Sequence, residues 1–470
     1  MRRFGFILLI AAILSACALT PDYERPVLDV PDKYSPTTEQ GNSIANLPWW
    51  EVFNDPQLQV LIHIALIENK DLGVALNRVA QSNALLTSTK ANQFPFLNFS
   101  GAAKRSQTSQ ILFPSASPQN NFTLMGNLSF ELDLWKKLSR STESARAELL
   151  ATEATHRNVT LGIVTSVAST YLLLRDLDKR LLIAKRTVDS RKYSLEIIQA
   201  RFDKGSTPEL DVNQAQIELA TAEVAVQTFE RQAAQTENAL AILLGHNPGS
   251  ITRGLLPLEK QILLPEIPTG LPSELLQRRP DVVTAEQRLH AETALIGVAE
   301  ALRYPSLSLT GNFGGISKEL SDLNSSQAKS WGIAGNLFAP LINWGQLKAQ
   351  SEIQRARTKE ALHIYEATLQ QALREVADAL VAVRTYREEH KAYRRQAEAA
   401  RNAEHLSRAR YDAGFVDYLE VLQSGQSLFS AELNESASAQ AAQNAVIQLY
   451  KSLGGGWTLP VALPEDTSEL

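Results

Sequence analysis

The sequence predicts a mainly α-helical protein with a small β part, and three observations lead there. The chain repeats itself, each copy carries a helical stretch far longer than a globular domain uses, and each copy also holds two short segments of alternating polarity.

The repeat is legible without gaps over its first part. Residues 71–101 align on residues 281–311, and nine of these 31 positions are identical, among them Asp71/Asp281, Arg78/Arg288, Pro95/Pro305 and Gly101/Gly311. Further on, Trp135 matches Trp344, Arg146 matches Arg355, Gly205 matches Gly414 and Gly245 matches Gly454. The expected organisation is a leader over 1–16, an N-terminal segment over 17–50, a first repeat over 51–245 and a linker over 246–270. A second repeat over 271–457 and a tail over 458–470 complete it.

Each copy reads in the same order. A first helix spans 71–91 and stops near Pro95. Two strands follow, around 96–103 and 121–135, and then a helix over 138–202. At 1.5 Å per residue that helix is about 98 Å long if straight. Leu174, Leu177, Leu181, Ala184, Val188, Leu195, Ile198 and Phe202 recur at three-four spacing along its second half, a coiled-coil seam broken only by Arg191. Gly205 is the expected left-handed terminator and Pro208 a first-turn proline, before a helix over 209–244. The second copy predicts helices over 281–302, 345–412 and 418–453, with strands over 306–313 and 330–337. Helices over 71–91 and 209–244 sum to nearly the length of the long one. The economical arrangement stacks them end to end and antiparallel to it.

The strands alternate an apolar with a small polar face. Leu97 and Phe99, then Phe122, Leu124, Leu128 and Phe130, then Leu307, Leu309 and Phe313, then Trp331, Ile333 and Leu337 form the apolar set. Period two of this kind marks a half-buried strand, in a soluble sandwich or in a barrel. No second sheet is available to cover the apolar face, which points to lipid. Four strands cannot close a membrane barrel, and open edges are not tolerated in lipid. Copies must therefore share one. Two copies give eight strands around a filled interior, whereas three give twelve around a lumen, which suits the small polar face. Trp135 and Trp344, at the strand-to-helix junctions, suit either an interfacial girdle or packing on a helix end.

The N-terminus sets the compartment. Arg2 and Arg3 precede an apolar run that is too short to span a bilayer and reads as a secretory signal. The one cysteine follows it, in Leu14-Ser15-Ala16-Cys17. This segment resembles the lipobox of bacterial lipoproteins, which implies cleavage before Cys17 and its lipidation. Ala18 in the next position implies sorting to the outer membrane by the same resemblance.

Several functions are disfavoured. A net charge of −5 carries no basic field for nucleic acid. The seven histidines are scattered without ligand spacing, so no metal and no cofactor are expected. No Gly-x-Ser-x-Gly elbow and no phosphate-binding glycine loop with a following lysine occur, so neither a hydrolase nor a self-powered pump is expected. A coiled-coil adhesive or structural lipoprotein would explain the helices but not the strand pairs.

The segment Leu276-Gln-Arg-Arg-Pro280-Asp-Val-Val-Thr-Ala285 and the ending Leu449-Tyr-Lys-Ser-Leu-Gly454-Gly-Gly-Trp457, together with the lipobox, resemble the outer membrane factor family. The likeness is to its TolC-like fold and its NodT/OprM-type lipoprotein branch. The resemblance implies a homotrimer with a shared twelve-stranded transmembrane barrel above a long periplasmic helical barrel. It implies a passive efflux duct working with a periplasmic membrane-fusion adaptor and an inner-membrane transporter of the RND type. Type I secretion and heavy-metal efflux are the neighbouring possibilities. It further implies a pore gate at Asp211, Leu419, Glu420 and Gln423, the last departing from an acidic family pattern. Adaptor-contact turns are implied at Arg201 and Gly205 and at Arg410, Tyr411 and Gly414.

Overall fold

The computed structural model describes residues 22–27, 53–257 and 278–455. Its elements in chain order are α1 (Pro56–Glu68), α2 (Lys70–Ala91), β1 (Phe96–Ser106), β2 (Gln119–Leu132), α3 (Lys137–Asp203) and α4 (Glu209–Leu243). The second copy follows with α5 (Pro280–Ala301), β3 (Ser306–Ser317), β4 (Lys329–Phe338), α6 (Gln346–Asp412) and α7 (Tyr418–Ser452). Both long helices have 67 residues and both return helices have 35, so the duplication read in the sequence is carried through in structure. Cys17, the leader, the 28–52 and 258–277 segments and Trp457 lie outside the described residues. None of the described helices is long and apolar enough to cross a membrane.

The chain divides into two units, one of residues 1–28, 77–153 and 284–367, the other of 29–76, 154–283 and 368–470. The first unit holds the sheet, a four-stranded antiparallel array in the order β1-β2-β3-β4. Strands from both copies thus join one sheet, with β2 paired to β3. In the same unit, small side chains are buried at the start of α3 (Ala147, Ala151) and along α5 (Ala291, Ala294). A polar bond ties the two helices, His290 to Glu143 at 3.0 Å, and Arg140 of α3 bonds the same Glu143 at 2.7 Å. Burial works against the Glu143 charge, but these two partners outweigh it and hold the carboxyl below its ordinary range.

Among its described residues, the second unit holds helices and no strand. Its largest buried side chains include Phe53, Leu58, Ile62, Tyr171, Leu172, Leu174 and Tyr450. Helix α1 is absent from the sequence-based prediction, which starts the first helix at residue 71. Its apolar positions are spread around the helix rather than along one stripe, so periodicity gives little sign of it. Asp55 caps it, accepting from the Gln57 amide at 2.9 Å. The break between α1 and α2 is a single residue, Asn69, whose carboxamide oxygen accepts from the Leu72 amide at 3.0 Å. Its amide nitrogen donates to the Leu243 carbonyl at 2.8 Å, so the end of α4 abuts the start of α2. That is the end-to-end stack expected from the helix lengths. In the second copy the corresponding junction is held by Arg279, which bonds Asp281 at 2.6 Å, Glu375 at 2.8 Å and the Ser452 carbonyl at 3.1 Å.

Strand boundaries differ from expectation in one instructive place. The alternation of β2 runs on to Trp135 in sequence, but the strand ends at Leu132. Asp133 turns to cap α3 instead, accepting from the amides of Leu138 and Ser139 at 2.9 and 2.8 Å. Lys136 then takes a left-handed φ of 59° to aim the helix. At the other end the strands outlast their prediction, β1 reaching Ser106 and β3 Ser317. Pro208 sits one residue outside α4, at its N-cap.

Candidate functional site: one sheet face and one helical tip

The register of the sheet decides which side chains share a face. Leu97 lies opposite Leu128, and Leu128 opposite Gly311, which faces Ile333. Phe99 faces Gly126, Gly126 faces Phe313, and Phe313 faces Trp331. Phe130 meets Leu309, and Leu307 meets Leu337. Because alternate residues of a strand share a side, all twelve apolar positions singled out in the sequence fall on one face. Phe99, Trp331 and Ile333 are 72, 72 and 82% exposed within the chain. An apolar surface of this extent marks an interaction site for lipid or protein.

The opposite face is mostly polar, with Phe96, Met125, Ile316 and Phe338 as its large apolar members. Asn98, Ser100, Asn127, Ser129, Ser308, Thr310, Asn312 and Asn336 lie on it, with cross-strand bonds from Asn127 to Ser100 at 3.1 Å and from Asn336 to Thr310 at 3.3 Å. Among the described residues, strands β1 and β4 end the sheet, each with one unpaired edge. Of the junction tryptophans, Trp135 stacks at a tilt on Tyr304 and donates its indole N–H to the Pro305 carbonyl at 2.7 Å, whereas Trp344 is exposed.

The helical tip comprises the turns α3–α4 and α6–α7. Each follows the same rule. Gly205 and Gly414 take φ of 74° and 79°, and the residue after each donates back to the carbonyl of Arg201 or Arg410. Above the turns, Ile198, Val212, Ala215, Tyr418, Val421 and Leu422 form one apolar cluster with Leu195 and Tyr411 against it. The side chains expected to meet an adaptor are partly engaged within the chain. The Arg201 guanidinium lies 4.7 Å over the Tyr411 ring, and Tyr411 packs on Tyr418 with centroids 5.6 Å apart. Burial above all pushes the Tyr418 phenol up to about 12, so it stays neutral.

The four expected gate residues divide. Leu419 and Gln423 are exposed. Glu420 is half-exposed and bonded to Arg410 at 3.2 Å. Asp211 accepts from the Thr207 hydroxyl at 2.5 Å, in the first turn of α4. Each carboxylate therefore also serves a helix start.

Sequence reasoning missed the polar core just above the tip. Arg191, the residue that breaks the coiled-coil spacing, reaches Glu218 on α4 at 2.8 Å, and both side chains are nearly buried. Gln426 of α7 donates to the same carboxylate. Arg186 and Arg401 both bind Glu432, the latter at 3.0 Å. The signal was present in the sequence as the interruption of an apolar seam by one arginine, but its partner lies on another helix. Among the described residues no group of His, Cys, Asp and Glu could hold a metal ion.

A sheet with one apolar face, one polar face and two open edges, continuous with paired helical hairpins, is the subunit of a membrane channel. The comparisons agree with that class. The sequence profile of the outer membrane efflux protein family matches residues 61–246 and 271–455. The chain is 34% identical to the outer membrane protein OprJ of Pseudomonas aeruginosa over 97% of each chain. It is 31% identical to the cation efflux system protein CusC of Escherichia coli over 95% of this chain and 97% of the relative. It superposes on the crystal structure of CusC with a TM-score of 0.85 at 31% identity, covering 94% of this chain and all of the other. The Campylobacter jejuni CmeC outer membrane channel, at 24% identity, shares the fold with a TM-score of 0.88 over 94 and 95% of the two chains. The chain belongs to the outer membrane efflux protein family and has the TolC-like channel fold. It is an outer-membrane channel component of an efflux system.

Proposed function

We propose that three copies close their sheets edge to edge into one twelve-stranded barrel and act as the passive exit duct of a tripartite efflux pump. The observation that carries this is the register: twelve large apolar strand residues share one face, and among the described residues both sheet edges are left open. From Leu132 to Phe122 the apolar run of β2 covers about 33 Å along the strand. Tilted by roughly 40°, that is about 25 Å, the height of the apolar band of outer-membrane barrels. Leu97, Phe99, Phe122, Leu124, Leu128, Phe130, Leu307, Leu309, Phe313, Trp331, Ile333 and Leu337 then face lipid, and the Asn/Ser/Thr face lines the lumen. Cys17 carries the acyl anchor, and most of the chain is periplasmic.

The partners in this reading are a periplasmic membrane-fusion adaptor and an inner-membrane RND-type transporter. The adaptor meets the turns of Arg201, Gly205, Arg410, Tyr411 and Gly414. Pore closure lies at Asp211, Leu419, Glu420 and Gln423. Opening frees Glu420 from Arg410, so the carboxylate ring exists in the open state and is masked in the closed one. Relatives of nearly equal similarity are named for toluene efflux and for cation efflux, at 32 and 31% identity. Substrate choice therefore belongs to the pump and not to the duct.

The test is oligomer mass in detergent together with conductance in a planar bilayer. A trimer with a discrete pore is expected; a stable monomer that never conducts refutes the assembly. Within a conducting trimer, E420Q with D211N is expected to change open probability and cation preference. Unchanged values would remove the carboxylates from the gate.

A further inference from the structure

The apolar face of the sheet carries charge at one end only. Along β1 it presents Leu97, Phe99, Gly101, Ala103 and Arg105, and along β4 Lys329, Trp331, Ile333, Gly335 and Leu337. On β2 and β3 the same face holds Asn120, Phe122, Leu124, Leu128, Phe130 and Leu132, then Leu307, Leu309, Phe313 and Ser317, with glycines between. Arg105 and Lys329 are thus the only charged side chains among these strand residues. Both are exposed, and among the described residues neither takes part in an ion pair. Both sit at the strand ends that lead to the loops 107–118 and 318–328, and away from the ends that lead to helices. No strand residue of this face is a carboxylate, so the strands of a second copy bring none to it either.

We propose that Arg105 and Lys329 form a docking site for the phosphate groups of an anionic glycolipid in the outer leaflet. The proposal rests on the lipid-facing reading of this face. Three features support it. Each cation is the next same-face residue past the apolar side chains of its edge: Arg105 one step beyond the Ala103–Phe122 pair, and Lys329 one step beyond the aromatic pair Phe313–Trp331 and level with Leu124. Cations at that depth attract anionic headgroups, and a guanidinium can bind phosphate through two parallel hydrogen bonds. Arg105 and Lys329 also lie on opposite edge strands, β1 and β4. Closing the barrel sets Arg105 on the strand next to the one that bears the partner subunit's Lys329. Each junction between copies then gains one two-cation phosphate site, and lipid bound there bridges two chains.

The experiment heats the purified trimer in neutral detergent with diphosphoryl lipid A, with chemically dephosphorylated lipid A, or with inorganic phosphate at equal phosphate concentration. A ligand that binds the assembled state raises its dissociation temperature. The expected result is a rise with diphosphoryl lipid A alone, lost in R105Q/K329Q and kept in K104Q, whose cation is on the polar face. A rise that survives in R105Q/K329Q, or that K104Q removes equally, overturns the proposal. So does an equal rise with the dephosphorylated lipid or with inorganic phosphate. Channel formation in phosphatidylcholine bilayers separates the two levels. If R105Q/K329Q and the wild type both conduct, a missing lipid A effect counts against the phosphate site alone; if neither inserts, the lipid-facing reading falls with it.

Discussion

Replacing Gly245 by alanine tests the junction on which the helical stack depends. Gly245 follows α4 with φ of 79°, and a Cβ built there would stand 2.3 Å from the Glu68 carbonyl oxygen and 2.7 Å from its carbon. Two costs then add. A left-handed non-glycine residue costs about 1–2 kcal/mol. Overpacking against backbone, which has no flexible end to move aside, costs about 1–3 kcal/mol more. The sum is roughly 2–5 kcal/mol, concentrated where Asn69 also bonds the end of α4. Gly205 supplies the control, since its φ is 74° but nothing lies within 4 Å of the added Cβ. Only the first cost applies there. Heating each variant while following helical circular dichroism should lower the midpoint for G205A by a few degrees, and for G245A by about twice that or more. Equal shifts in the two variants would show that the contact with Glu68 does not constrain the junction, and the argument for end-to-end stacking through Gly245 would fail.

Three further outcomes are expected. R191M strands the Glu218 carboxylate in a nearly buried position and should lower stability by about 3–5 kcal/mol, while R191M/E218M recovers most of it, as chemical denaturation of the four variants in a double-mutant cycle would report. Acid should loosen the protein in a defined window: burial raises the Glu237 carboxyl, but the Arg253 guanidinium and the Ile251 amide outweigh it and hold the group below 4.5. A depressed folded value means that its stabilisation is complete above pH 4.5 and fades as pH falls through the lower value; E237Q should flatten that part of a pH–melting curve. R279K should weaken the second junction, because an ammonium cannot repeat the fork that spans Asp281, Glu375 and the Ser452 carbonyl, and the loss should appear as faster amide exchange at the end of α7.

The adaptor-contact and gate positions were partly legible in sequence, and the limit is physical. Gly205 and Gly414 stand out because only glycine takes a left-handed turn at no steric cost, so the break in helical periodicity and the residue at it agree. Glu420 and Asp211 stand out as carboxylates, but their nearest partners, Arg410 and Thr207, are set by the turn geometry. Arg191 is visible as an anomaly within an apolar seam. Its meaning is not, because Glu218 lies across a helical hairpin and Gln426 on a helix of the other repeat.

The sequence by itself determined the duplication, the lengths of the helices and the period-two faces of the strands, since these depend on local periodicity and on turn chemistry. It also determined that one chain leaves an apolar sheet face and two sheet edges without cover. The pairing of β2 with β3, the alignment of twelve apolar residues on one side, and the placing of both charges of that face at the same end were decided only in tertiary structure. A strand's own pattern says which residues share its sides. Register between strands more than a hundred residues apart is set by hydrogen bonds that no local pattern encodes.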